Sequence, residues 1–316
     1  MTSRALLLGL LIASFVAPAT TAQAQDDFFE PQALAMGGAV RILGGDASSI
    51  HLNPAAMTVR PRYIAGMSYL FYGREKSHTI ASGAYDSRTS AFAIGTKYTV
   101  WRFSPPFDAE DDLNWFPVED TAGVQDQRTW HRWDVAAAYG LLSRRINIGV
   151  TARIVRQDSQ LHPERTFFTM DGGVSFFPHP RFGFGFSAQN FIPTKEDRFP
   201  TRLSPGLGLL IDDFLQLEAD AVFTIKPEQE KPDADLHVGG EITLFRTVSI
   251  RAGFYSERQF TDTYATWGLG LRVQRAKLKL HYTMRIEVGP MDHALRDEIP
   301  EHRNRLLHGL GFDVTM

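Results

Sequence analysis

The sequence predicts an all-β fold: a transmembrane antiparallel β-barrel of about fourteen strands, with an N-terminal hatch inside the lumen. Three observations carry this reading. Apolar and polar residues alternate with a period of two from Tyr63 to the end of the chain. The alternating runs are about ten to thirteen residues long, the length of a tilted membrane strand rather than the five or six usual in globular sheets. The connections between them alternate in length, short turns at one rim and longer loops at the other.

The first element is a leader. Arg4 gives a positive start, Ala5 to Val16 form an apolar run, and Ala22-Gln23-Ala24 supplies small residues before a cleavage point at Gln25. The apolar run falls short of the about 20 residues a spanning helix needs, so residues 1–24 read as a cleaved signal peptide. Residues 25–62 precede the first strand, and 63–316 form the barrel. Its opening strands are expected at 63–73, 76–85 and 89–101, and the next at 129–142, 146–158 and 165–177. Further strands follow at 181–191, 200–211, 214–225 and 234–245, then 247–257, 262–273, 276–287 and 304–315.

Individual segments show the period plainly. Phe182, Phe184 and Phe186 share one face against Gly183, Gly185, Ser187 and Gln189. Leu278, Leu280, Tyr282, Met284 and Ile286 likewise oppose Lys277, Lys279, His281, Thr283, Arg285 and Glu287. The tight connections are 86–88, 143–145, 178–180, 212–213, 246 and 274–275, and the conspicuous long ones are 102–128, 226–233 and 288–303. An even strand count returns both ends to the short-turn, periplasmic rim. A soluble β-sandwich also alternates, but strand length weighs against it. So do the aromatics Trp101, Phe103, Trp115, Trp130, Trp133, Phe176 and Phe177, which are expected to form interfacial girdles. The chain ends in Phe312-Asp313-Val314-Thr315-Met316, with Phe312, Val314 and Met316 expected outward.

Residues 33–57, ALAMGGAVRILGGDASSIHLNPAAM, are too glycine-rich for a good helix and too irregular for a strand. A lumen as wide as fourteen strands needs filling, and such a segment can lie close to the wall because glycine tolerates unusual dihedrals. Met36-Gly37-Gly38-Ala39, then Asp46-Ala47, then Asn53-Pro54-Ala55 resembles the N-terminal hatch of the FadL-type outer-membrane barrels. That group includes transporters of fatty acids and aromatic hydrocarbons and the secretion-associated PorV/PorQ-type barrels. The resemblance implies a hatch at 25–62, built on Met36, Gly37, Gly38, Ala39, Asp46, Asn53, Pro54 and Ala55, that plugs the barrel from the periplasmic side. It implies passive uptake of a hydrophobic small molecule, with a non-transporting interaction barrel as the alternative. Ile50-His51-Leu52 departs from the family by lacking an aromatic pair before Asn-Pro-Ala.

The inward faces are expected to be charged. The candidates are Arg132, Asp134, Arg153, Asp171, Glu218, Asp220, Glu241, Arg251, Arg272, Lys277, Lys279 and Arg285, with Asp313 at the end. Polar-in alternation explains each singly, and the mixed signs argue against a wide single-sign pore. His131, His237 and His281 read as single inward residues without ligand spacing, so no metal or other cofactor is expected. There is no cysteine and no Gly-x-Ser-x-Gly elbow, and no enzyme is expected. A net charge of −3 gives no field for nucleic acid. The expected partners are outer-membrane lipid, a hydrophobic small molecule, and, in the alternative, a secretion or surface protein. That protein would be held by the long loop through Trp101, Phe103, Phe107, Trp115 and Phe116 among Asp108, Glu110, Asp111 and Asp112. The expected location is the outer membrane of a Gram-negative bacterium.

Overall fold

A computed structural model describes residues 29–72, 77–89, 91–103, 128–159, 163–194, 199–212, 214–225, 232–257, 262–288 and 306–316. Fourteen strands run in chain order. The first seven are β1 (Tyr63–Tyr72), β2 (Ser77–Asp86), β3 (Phe92–Phe103), β4 (Arg128–Leu141), β5 (Ile146–Ser159), β6 (Arg165–His179) and β7 (Phe182–Gln189). The second seven are β8 (Thr201–Ile211), β9 (Leu215–Ile225), β10 (Asp233–Leu244), β11 (Val248–Glu257), β12 (Asp262–Val273), β13 (Leu278–Glu287) and β14 (Leu307–Thr315). Each strand pairs antiparallel with its chain neighbours, and β1 closes the ring on β14. Closure is sealed at the rim by Tyr63 N donating to Met316 O at 2.9 Å and Met316 N returning to Tyr63 O at 3.1 Å. The expected closed antiparallel barrel of fourteen strands is the observed fold.

The period of two sets which side chains meet which solvent. Ile94, Val135, Val150, Phe186, Leu269 and Leu310 stand exposed on the outer surface, as do Phe312 and Met316 at the chain end. An apolar exterior this continuous is what hydrocarbon requires, and only a closed barrel satisfies every strand's backbone there. No helix among the described residues is long and apolar enough to cross a membrane. Short connections lie at 142–145, 180–181, 245–247 and 274–277, all on the rim that carries both ends of the barrel.

Three expectations about side-chain direction are overturned. Trp101, Trp130 and Phe177 do not join an outer girdle: they point inward, Trp130 only 2% exposed and Phe177 buried against Ile42 and Leu43. Trp133 and Phe176 do point outward as expected, and Tyr98, Trp267 and Tyr282 stand on the same outer surface, with rings 5.1 Å apart for Tyr98–Trp133 and 5.5 Å for Trp267–Tyr282. His131 is outward too, stacked beside Tyr98 and Trp133, because its neighbour Arg132 takes the lumen face. Lys277 is not a strand residue at all. It sits exposed in the β12–β13 turn at φ 52°, a left-handed position that ends the alternation one residue before β13 begins. Trp115 and the loop aromatics and acids of 104–127 lie outside the described residues, as do residues 1–28.

Within the ring lies the chain from Phe29 to Thr58, buried throughout. It makes a short helix, Pro31–Ala35, a single turn, Ser49–Leu52, and a 3-10 turn, Pro54–Thr58. The first helix packs against β11, β12 and β13 and the last turn against β4, β5 and β6, so the segment spans the lumen from wall to wall.

Candidate functional site

The inner segment is seated by local chemistry that its sequence spells out. The Pro31–Ala35 helix stops because Gly37 and Gly38 take φ of 63° and 74°, conformations L side chains rarely adopt. The same two residues bring the chain so close to β11 that a Cβ on Gly37 would lie 2.7 Å from Phe254 O. Gly239 and Gly253 of the wall face this point, and a Cβ on either would collide with the Met36–Gly37 backbone. Asn53 closes the other lobe. Its Oδ1 accepts Ala55 N at 3.1 Å and its Nδ2 donates to Arg41 O at 2.7 Å, while Pro54 starts the 3-10 turn. Gly173 of β6 has no side chain because Asn53 Oδ1 occupies that space.

Asp46 joins the two lobes. Its Oδ1 accepts Ser48 N at 2.9 Å and its Oδ2 accepts Ala33 N at 3.2 Å. Burial, with the Glu30 and Asp313 carboxylates nearby, pushes its carboxyl up from 3.8 to about 7. Between those values the seated segment keeps a proton that a released segment has lost, so seating weakens as pH rises through that window. We therefore expect amides 46–52, corrected for intrinsic exchange, to be better protected at about pH 5 than at about pH 8, and Asp46→Asn to flatten the difference. Equal protection at both values in the native protein would exclude the linkage.

The wall supplies the polar partners that the inner backbone lacks. Thr266 Oγ1 accepts Gly37 N at 3.0 Å, His237 Nδ1 donates to Gly37 O at 2.7 Å, and Gln189 Nε2 donates to His51 O at 2.8 Å. Thr151 Oγ1 donates to Ile50 O. Glu218 Oε2 accepts both Ile42 N and Leu43 N, at 2.9 and 3.2 Å. Hydroxyls, amides and an imidazole thus carry more of the seat than the sequence suggested, since attention there fell on charges. Two ion pairs also cross from segment to wall: Lys97 to Glu30 at 2.9 Å and Arg41 to Asp220 at 3.5 Å. Lys97 also donates to His51 Nδ1 at 3.3 Å, and burial beside that ammonium holds the His51 imidazole neutral, well below its usual pKa.

The remaining wall charges pair with each other. Arg132 reaches Asp134 at 2.8 Å, Arg153 reaches Asp134 at 2.7 Å and Asn190 at 2.6 Å, and Arg153 also holds Asp171. Arg251 meets Glu241 at 2.6 Å, His281 meets Asp313 at 2.8 Å, and Arg285 donates to the Tyr255 hydroxyl at 2.6 Å. Arg272 and Lys279 lie on lumen-facing positions at the short-turn rim without an ion pair among the described residues. No group of three or more His, Asp or Glu among the described residues could hold a metal.

Toward the long-loop rim the lumen is aromatic. Trp130, Val155 and Phe199 form a buried cluster with Trp101 and Phe167 against it. Phe199 arrives from the β7–β8 connection, its ring 5.6 Å from Trp130 and 4.8 Å from Phe167. Trp130 Nε1 and Gln157 Nε2, on paired residues of β4 and β5, are buried donors with no hydrogen-bond partner among the described residues. An unmade bond at a buried donor costs about 1–3 kcal/mol. The Arg132–Asp134–Arg153–Asp171 ring lies on the same strands, between this cluster and the inner segment.

A closed fourteen-stranded barrel with an apolar exterior and an occupied lumen defines a class, the FadL-type barrel fold. The chain is similar to the toluene transporter TodX of P. putida at 9% identity, covering 92% of this chain and 98% of that one, with a TM-score of 0.61. It is similar to a Pseudomonas aeruginosa FadL homologue at 13% identity, covering 95% and 99%, with a TM-score of 0.60. No family model and no curated relative matches the chain.

The seat can be tested from the wall side. Gly253→Val is expected to push the Met36–Gly37 backbone off β11, an overpacking cost of about 1–3 kcal/mol. Gly172→Ala, whose added carbon would make ordinary contacts with Phe191 at 3.6 Å and Gly149 O at 4.0 Å, is the silent control. A raised leak conductance in a planar bilayer for the first and none for the second is the expected result.

Proposed function

We propose that the protein is an outer-membrane barrel that admits small hydrophobic compounds passively, exported through a cleaved signal peptide, with residues 25–62 as its hatch. The aromatic cluster carries this reading: Trp101, Trp130, Phe167 and Phe199 offer rings at the outer end of a lumen that buried residues 29–58 occupy. The likeness of the fold to TodX, described as a toluene transporter, agrees with such a ligand. Phe199 packs directly on Trp130 and Phe167, with ring centroids 5.6 and 4.8 Å apart, so a small apolar or monoaromatic guest would pack beside these rings rather than between them. The unpaired Trp130 Nε1 and Gln157 Nε2 would reward a guest carrying one acceptor. Cells with and without the protein should be compared for accumulation of labelled toluene, a cresol and dodecanoate. Faster uptake of at least one compound, reduced by Phe199→Ala, supports the reading. Equal uptake across the panel counts against it.

A further inference from the structure

A cavity of about 240 Å³ opens at the opposite, short-turn rim, between the inner segment and strands β8, β9, β10, β12, β13 and β14. Arg60 and Arg62 line it from the chain entering β1, and Arg246, Arg272 and Lys279 from the wall. Glu241 is the sole carboxylate among the described lining residues. That carboxylate is already engaged, with Arg251 Nε at 2.6 Å and the Thr243 hydroxyl donating at 3.0 Å. The cavity therefore faces a cluster of cations whose one acid is bonded to a sixth, Arg251, and is shared electrostatically with Lys279.

The register sharpens the point. Arg272 and Lys279 are direct cross-strand partners of β12 and β13, both on the lumen face. Side chains so paired stand about 5 Å apart at Cβ, and like charges there destabilise a sheet. Neither makes an ion pair among the described residues. Several other lumen charges meet opposite ones, as with Arg153 between Asp134 and Asp171. A like-charged pair left facing a cavity is what an oxyanion bridging the two cations would relieve.

We propose that this cavity is an oxyanion-binding site at the periplasmic mouth, taking a carboxylate or phosphate group across Arg272 and Lys279, with Arg62 closing it from the hatch side. The group comes either from a free anion or from the head of an amphiphile. The site stands apart from the transport reading, because binding is measured without flux.

The test is calorimetric titration of the purified full-length chain in a neutral detergent with inorganic phosphate, octanoate and octanol. Phosphate and octanoate are expected to bind, weakening as salt rises, while octanol does not bind at this site. Arg272→Gln with Lys279→Gln should weaken anion binding about tenfold or more, the loss of about 1.4 kcal/mol. Arg62→Gln should weaken it less. Heat-modifiable gel migration verifies that each variant is folded, and should the double variant not fold, Arg62→Gln and Arg272→Lys carry the comparison. Octanoate binding tenfold tighter than phosphate identifies an amphiphile head, and equal affinity a free anion. The proposal is overturned if neither anion binds, if octanol competes with octanoate, or if folded variants bind both anions as the native chain does.

Discussion

Deleting residues 26–57 is expected to leave a folded barrel that conducts ions, where the intact protein is nearly silent. Each strand's backbone is satisfied by its two neighbours, so closure does not depend on the inner segment. What the deletion removes is the filling: Phe29, Ala33, Leu34, Met36, Val40 and Leu52 pack as a cluster on Leu70 and Leu307, and Ala47, Ile50 and Met57 pack on Ile64, Tyr85 and Ala93. It also leaves Lys97, Glu218 and Asp220 without the partners they have on that segment, and water entering the lumen would solvate them. The intact and truncated chains should be compared by heat-modifiable migration and by single-channel recording in planar bilayers. Equal conductance, or a truncated chain that fails to insert, would mean that residues 26–57 are a folding element or a periplasmic docking segment rather than a plug.

The barrel was legible in the sequence because period-two alternation and turn spacing are local signals. Phe182, Phe184 and Phe186 point outward as the alternation requires, and Lys279 and Arg285 point inward. What failed were inferences from residue type rather than from parity. Trp130 looked like a girdle residue by composition, yet it shares its face with Arg132 and Asp134 and so belongs to the lumen. His131 fails for the mirror reason. Lys277 was lost to turn geometry, which alternation does not encode. The Met-Gly-Gly-Ala and Asn-Pro-Ala stretches could be recognised, but their seats could not. Gly173, Gly239 and Gly253 are separated from them by more than a hundred residues, and only the closed ring brings them together. The aromatic cluster was hidden in the same way, since Phe199 comes from a connection and Trp101, Trp130 and Phe167 from three different strands. A single signal was available for it. Large aromatics on inward parity are unexpected in a polar lumen, and counting parity from Arg132 would have exposed Trp130.

Arg153→Met is expected to be the most damaging single substitution in the wall, at about 3–5 kcal/mol, because it strands buried acids without their cation. Arg153 is 2% exposed and binds Asp134, Asp171 and the Asn190 side chain at once. The two acids are not equally stranded. Asp134 keeps Arg132 at 2.8 Å, whereas Asp171 keeps, among the described hydrogen bonds, the Asn190 backbone N–H at 2.8 Å, with Arg132 acting on it from farther off. The cost should therefore fall mainly on Asp171, and Arg153→Met with Asp171→Leu should recover much of it, since an apolar pair of similar volume removes the uncompensated charge. Denaturant unfolding in detergent micelles, followed by tryptophan emission, measures both variants. A double variant as unstable as the single one would show that Arg153 acts through Asp134 or Asn190 instead. The same comparison separates stability from gating. The ring shares β4, β5 and β6 with the aromatic cluster and with the seat of the Pro54–Thr58 turn. The repaired double variant should therefore regain its unfolding midpoint while showing altered uptake of an apolar guest, because half of the charged floor beneath the aromatic cluster has become apolar while Arg132 and Asp134 remain.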